Sequence, residues 1–441
     1  MNFNKFFDLA AANDISESEI NFSKSTDFSF AIFKGQLINY SISISKGISA
    51  RGIYHNKIGY GSTEKDDPTT ASFLVDAIKD TAKFIESDDE AIIFKGAPKK
   101  DYHKKSAFSK ALKEWPTEQK IALAHKIEEM TYAKDPRISD VEVTYQESDG
   151  EGKLLNSHGL SLSIKNNYFL LYTSIVIKDG NEVKSNGKMF IEADPSKFDI
   201  NKYIDELVSE GLAKLHGETI KNGTYKAVLS QETVSSLLYA LLSNASSLQI
   251  QKKSSLFIGK LNQEVASKKI TVYEKPLSKN VFFKYFDDEG YPCSNKVVID
   301  KGVLKTYFYN LVTAKKDGVE STGNAQANGS KMGITFGNIV LKAGRSSLDD
   351  LFKTIGNGVY VTDISGLHAG LDKTSGDFSL QAEGFHIKDG KKDKPLTLFT
   401  LGGNIFKLFN DVIKVGSDAK FLNNGATIPS VAFKNLKISA E

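Results

Sequence analysis

Phe28-Ser29-Phe30-Ala31-Ile32-Phe33-Lys34-Gly35-Gln36-Leu37-Ile38-Asn39-Tyr40-Ser41-Ile42-Ser43-Ile44 is the stretch that decides the class of fold. Phe28, Phe30 and Ile32 alternate with small residues, Lys34-Gly35-Gln36 turns the chain, and Tyr40, Ile42 and Ile44 alternate again. A two-residue period puts every second side chain on one face of an extended chain, so the stretch reads as strands. Further on, Gly47 precedes a third run through Arg51, Ile53 and Tyr54, and His55-Asn56-Lys57 turns it into Ile58 and Tyr60. Such runs joined by short turns predict an antiparallel meander. A short helix is expected ahead of it, within residues 1–20.

Asp67-Pro68 then supplies an N-cap followed by proline at the first helical position. Leu74, Ala77, Ile78, Ala82 and Ile85 recur at three- and four-residue steps and fill one face of the helix that follows. Residues 87–115 are polar and irregular and read as a linker. A second helix is expected from Pro116-Thr117 to about Ala133, with Ile121, Ala124, Ile127 and Met130 inward. Strands follow at Ile138–Gln146, Glu151–Asn156, Leu160–Ile177 and Val183–Glu192, with hairpin chemistry at Lys178-Asp179-Gly180-Asn181. A third helix covers about Ile200–Leu215. Beyond 220 the chain reads as strands and turns, with helices after Ser346 and over Asn404–Ile413. Strands and helices do not alternate strictly, which argues against a doubly wound parallel sheet. The expected class is α+β: a mixed N-terminal half with antiparallel strands and a larger β-rich C-terminal domain. The expected divisions are 1–105, 106–218 and 219–441.

The chain has 441 residues, enough for two or three domains, and its 57 basic and 54 acidic residues leave a net charge of only +3. No basic stripe points to nucleic acid. Cys293 is the sole cysteine, so an intramolecular disulfide and a thiolate zinc cluster are both excluded. No stretch approaches the roughly 18 apolar residues that a membrane helix needs, and the N-terminus has no long apolar segment of the signal-peptide kind. A cytoplasmic protein is expected.

The seven histidines are scattered. The closest two, His368 and His386, lie too far apart to share a helical turn as zinc ligands. Asp287-Asp288-Glu289-Gly290 is the densest acidic cluster; it suits a divalent cation or a cationic peptide terminus, and equally a solvated turn. Ser321-Thr322-Gly323-Asn324-Ala325 and Thr374-Ser375-Gly376-Asp377-Phe378-Ser379 are small polar loops that bring backbone amides close to a ligand, as ordinary turns also do. Arg51 suits a substrate carboxylate, or the solvent. The substrate-binding candidates are thus Arg51, Asp287, Asp288, Glu289, Thr322, Asn324, Asp377 and Ser379.

Residues 229–244 form an amphipathic helix, with Val234, Leu237, Leu238, Leu241 and Leu242 at helical spacing. It belongs to a series of segments in a fixed order. Ser49-Ala50-Arg51-Gly52-Ile53-Tyr54 and Ile58-Gly59-Tyr60-Gly61-Ser62-Thr63 come before it. Ser255–Leu261, Phe286–Gly290, Gly302-Val303-Leu304 with Tyr307, Ser321–Ala325, Thr374–Ser379 and Pro429-Ser430-Val431-Ala432 come after it. In that order and separation they resemble the TldD/TldE (PmbA) family, also called modulators of DNA gyrase. In the catalytic TldD branch this helix carries His-Glu-x-x-x-His. Here those positions hold Tyr239, Ala240 and Asn244, and the segment matching a later cysteine ligand, Val415–Asp418, has no cysteine.

The resemblance therefore implies the TldE/PmbA branch. It implies no metal or cofactor in this chain, zinc in a TldD-like catalytic partner, and a heterodimer enclosing a chamber for unfolded peptides. Whether the chain has any activity of its own stays open. Two other readings stand beside this one. The first is a stand-alone peptide-binding or structural homodimer without a protease role. The second is an enzyme with a distributed site unlike the family's.

Overall fold

The computed structural model describes residues 3–86 and 89–440. Residues 1–2 of the first expected helical region and 87–88 of the expected linker lie outside the described residues. The period-two stretch does form strands, and they are longer than their sequence suggests. β1 (Ile15–Phe33), β2 (Gln36–Tyr54) and β3 (Lys57–Thr63) make the meander, with helix α1 (Phe3–Ala12) before it. β4 (Ile138–Asn156), β5 (Ser161–Asp179) and β6 (Glu182–Glu192) complete one antiparallel sheet in the order β3-β2-β1-β4-β5-β6. The two expected N-terminal regions, 1–105 and 106–218, thus share one sheet, because β1 pairs with β4 along 15 consecutive residues from Glu19 to Phe33.

Several expected breaks are absent. Gly47 does not interrupt β2, and Ser148-Asp149-Gly150 does not interrupt β4. Both segments have a neighbouring strand on at least one side: Gly47 pairs with Ser23, and Gly150 pairs with both Ser25 and Asn166. Ladder hydrogen bonds on flanking strands override local turn preference. Conversely, Val281–Phe286, within the part read as strands and turns, is irregular chain.

One face of the sheet is covered by helices at both ends. Near β3, α1 and α2 (Thr70–Lys83) bury Phe6, Ile20, Ile48, Leu74 and Ile78. At the other end, α3 (Lys110–Lys113), α4 (Thr117–Tyr132) and α5 (Ile200–Leu212) cover Phe30, Val143, Tyr145, Phe169 and Leu171. Each large side chain buried there contributes roughly 1.5–3 kcal/mol. α2 starts two residues later than expected: Asp67 caps the turn from outside by accepting from the Thr69 N–H at 2.8 Å.

The C-terminal part begins with β7 (Gly223–Leu229) and α6 (Gln231–Leu242). β7 joins a ring of strands in the order 358–365, 223–229, 431–440, 399–404 and 377–388, which closes because 358–365 also pairs with 377–388. α6 packs its Val234, Leu237, Leu238, Leu241 and Leu242 into the core of this part, together with a second sheet built around 272–274, 296–300 and 339–341. Among the described residues no helix is long and apolar enough to cross a membrane.

Two glycines of β3 let α2 lie directly on the strand. A Cβ on Gly59 would sit 1.9 Å from the Ile78 carbonyl oxygen, and one on Gly61 would sit 2.8 Å from the Ala77 Cβ. We predict that Gly59→Ala destabilises the N-terminal sheet by about 1–3 kcal/mol, the usual cost of overpacking. The check is an early, lower-temperature unfolding transition in calorimetry.

Candidate functional site

The second face of the six-stranded sheet is where the C-terminal part docks. Leu162, with Leu160 and Ile164 beside it, packs against Phe283, Tyr285 and Phe286. The loop after these aromatics, 286–290, is folded by a single carboxylate. Asp287 Oδ1 accepts from the backbone N–H of Glu289 and Tyr291 at 3.0 and 2.9 Å, and its Oδ2 accepts from Ala325 N–H at 2.9 Å. The turn aims Glu289 at the sheet. There Glu289 Oε2 accepts from Leu311 N–H at 2.8 Å, and its Oε1 lies 4.0 Å from the Arg51 guanidinium. Arg51 in turn holds Glu19 on the adjacent strand, with Nε donating at 2.7 Å.

Arg51, Asp287 and Glu289 were candidates for touching substrate. The structure places them instead in the buried joint between the two halves, with Asp287 fully buried and Glu289 1% exposed. Burial works against the Arg51 charge, and the nearby Glu19, Glu289 and Asp287 outweigh it. Burial pushes the Glu289 carboxyl up to about 8, against the pull of Arg51, and the Asp287 carboxyl up to about 6, against its amide donors.

Beside the joint the two halves part and leave a cleft of about 750 Å³. Its floor is the open face of the sheet, including Asn21, Gly152, Ile164, Asn166, Tyr168 and Leu170. Its roof is the C-terminal part, including Phe282, Phe286, Phe336 and Asn423. Two sequence candidates reach it. Asp288 lines the wall, with Lys284 Nζ donating to it at 2.8 Å and Ala327 N–H at 2.9 Å. Asn324 is fully engaged: its Nδ2 donates to Glu274 Oε1 and to the Thr335 carbonyl, each at 2.8 Å. Thr322 stands behind Asn324, donating to its Oδ1 at 2.7 Å. Asp377 and Ser379 lie elsewhere, exposed on the strand ring, where Asn404 Nδ2 donates to Asp377 at 2.8 Å. The sequence reading missed Asn21, Asn166, Tyr168 and Asn423. The available signal was Asn166-Asn167 inside an apolar strand, where asparagine is disfavoured.

α6 ends one side chain behind the cleft. Tyr239 packs its ring on Phe336, centroids 5.3 Å apart, and burial raises its hydroxyl to about 12. Ala240 packs against the core of the C-terminal part. Asn244, just past the helix, accepts from Leu256 N–H at 3.2 Å and turns its Nδ2 toward the Ala240 carbonyl at 3.4 Å. Asp418 tethers the start of the helix, accepting from Gln231 Nε2 at 2.9 Å. A buried phenol, a methyl and a committed carboxamide are not a zinc donor set, so zinc does not fit at these positions. Among the described residues no three His, Cys, Asp or Glu side chains are placed to hold a metal ion. Cys293 is buried, and its thiol is pushed up to about 12 by that burial, so it stays protonated.

A two-layer N-terminal half and a β-ring C-terminal half, with a cleft between them and one helix backing that cleft, define a two-part α+β fold. The chain belongs to the PmbA/TldD family. Residues 18–87, 110–215 and 222–440 match the first, central and C-terminal domains of the PmbA/TldA metallopeptidase. The metalloprotease PmbA of Escherichia coli O157:H7 is 23% identical over 435 residues, covering 96% of this chain and 92% of that one. A Thermotoga maritima protein described as a proposed modulator of a DNA gyrase superposes with a TM-score of 0.90 at 25% identity over 99% of both chains. TldE from Thermococcus kodakarensis superposes equally well, TM-score 0.90 over 99% of both chains, and at 22% identity it shows the fold alone.

The joint makes stability depend on pH. An unfolded glutamate releases its proton near pH ~4.3, whereas folded Glu289 keeps it to about 8. In that window the folded state carries the extra proton, so stability falls as pH rises through it and levels off above. Asp287 acts with the same sign up to about 6. We predict that Glu289→Gln, which is neutral at every pH, flattens the fall in melting temperature between pH 6 and 9 relative to the parent protein.

Proposed function

We propose that this chain is the subunit without metal of a TldD/TldE-type zinc peptidase. It shapes the chamber wall and holds unfolded peptide while a TldD-like subunit cuts it. The observation that carries this reading is the fate of Tyr239, Ala240 and Asn244. Each is committed to packing or to the backbone of the chain itself, at the positions where the catalytic branch carries its ligands and base. In the partner, a zinc-bound water would supply the nucleophile. This chain's share is the cleft that backs onto the helix, with a floor that takes extended chain. The assembly is a heterodimer acting in the cytoplasm on peptides, with no direct role for nucleic acid.

The test mixes this chain with a His-Glu-x-x-x-His paralogue from the same organism and follows cleavage of an unfolded peptide, with and without chelator. The expected result is cleavage by the mixture, abolished by chelator, with this chain inert by itself. Chelator-resistant cleavage by this chain alone would overturn the proposal. So would a paralogue that works at full rate with no help and no complex formed; a stand-alone homodimer is what would then remain.

A further inference from the structure

This inference rests on the reading of the chain as a peptide-holding subunit and adds where the peptide sits and what kind it is. The charged groups deep in the interdomain cleft are neutralised from within. Glu274 is paired with Lys296 at 2.7 Å, and Asp288 with Lys284 at 2.8 Å. Lys153 also lines the cleft without an ion pair among the described residues, but it is exposed to solvent. Deeper in, a ligand meets only these paired charges, so the interior is poorly suited to a free terminus or a charged side chain.

Its carboxamides fall into two sets. Asn324, Asn338 and Asn424 are used up inside the protein. Asn338 Nδ2 donates to the Phe282 carbonyl at 2.9 Å while its Oδ1 accepts from Asn280 at 2.8 Å. Asn424 Nδ2 donates to Ser235 at 3.0 Å while its Oδ1 accepts from Ala426 N–H at 3.1 Å. In contrast, Asn21 and Asn166 on the floor and Asn423 on the roof have no side-chain hydrogen-bond partner among the described residues. Each presents two donors and an acceptor, which complement the C=O and N–H of one peptide group. Asn21 and Asn166 are half-buried, and polar groups partly withdrawn from water gain by finding such partners; Asn423 is exposed. Around them stand the rings of Tyr168, Phe282 and Phe286, which offer apolar contact at the same level.

We propose that the cleft binds the interior of an extended, uncharged stretch of peptide. Asn21, Asn166 and Asn423 grip its backbone amides from both walls, and Tyr168, Phe282 and Phe286 receive its apolar side chains. A backbone grip reads no particular side chain, so selection is for an unfolded, apolar, neutral segment. The cleft volume of about 750 Å³ falls inside the ~300–1,000 Å³ range of ligand sites and suits a short segment.

The experiment is calorimetric titration of the full chain with two heptapeptides. One alternates leucine and serine and is blocked at both ends; the other alternates glutamate and serine and has free ends. The expected result is binding of the blocked apolar peptide and none, or at least tenfold weaker binding, of the charged one. Asn166→Ala and Asn423→Ala should each weaken the first roughly two- to tenfold, the worth of a neutral hydrogen bond or two. Asn181→Ala, on a hairpin tip away from the cleft, should change nothing, and matched melting temperatures should show that all variants fold. No binding of the blocked peptide overturns the proposal, as does equal affinity in the parent and both cleft variants, or equal affinity for the two peptides. If the mixture with the paralogue is inactive while the blocked peptide binds as described, the subunit reading fails and this assignment stands. Cleavage by the mixture with no effect of the asparagine variants on binding sinks this assignment alone.

Discussion

The Asp287 carboxylate holds the two halves of this protein in register. It gathers the N–H groups of Glu289 and Tyr291 into one tight turn and takes a third from distant Ala325, and the turn points Glu289 at the Arg51–Glu19 pair on the sheet. A carboxylate satisfied by three amides can be buried; without them its burial would be prohibitive. Three ionised carboxyl groups around one guanidinium would leave two negative charges in excess. Asp287 is held by its three amide donors, and the raised Glu289 carboxyl relieves the rest, because a protonated Glu289 leaves the Glu19–Arg51 pair balanced in a dry joint. Such a joint adds little net stability compared with apolar packing of the same volume. Its consequence is orientation: two halves meet at one angle, and the gap left beside the contact becomes the cleft.

That gap exists because the sheet spends its two faces differently. The helical layer takes Phe30, Val143, Tyr145 and Phe169 on one side. On the other side the C-terminal part lands on Leu154, Leu160 and Leu162. Past that point the cleft floor mixes the apolar Ile164 and Leu170 with Asn21, Gly152, Asn166 and Tyr168. α6 contributes from behind. It keeps its helical place against the cleft wall, with Tyr239, Ala240 and Asn244 committed to packing and to the backbone.

Much of this was legible in the residues. The alternation at 28–44 announced the meander, Pro116-Thr117 announced α4, and Asp179-Gly180 announced the β5–β6 hairpin. The order of the family segments was visible too. The breaks expected within strands failed for one reason. Gly47 and Asp149-Gly150 carry turn chemistry, yet they lie within strands because β1, β2, β4 and β5 pair across them. Local preference of a few tenths of a kcal/mol up to ~1 kcal/mol does not withstand a ladder of hydrogen bonds. The acidic run at 287–289 looked like a ligand site because unpaired acids on a loop usually face water; its partners, Arg51 and Leu311, are distant in sequence.

By itself, then, the sequence determined the kinds of element, their order and the family frame, since each is written in residue type and short-range spacing. Only the tertiary structure decided that residues 1–105 and 106–218 share one sheet, that Arg51, Asp287 and Glu289 face one another rather than a ligand, and that Asn21, Asn166 and Asn423 share a cleft. These are consequences of pairing between segments more than a hundred residues apart. No local pattern records such pairings, because the free energy that selects them is collected only when the two halves close.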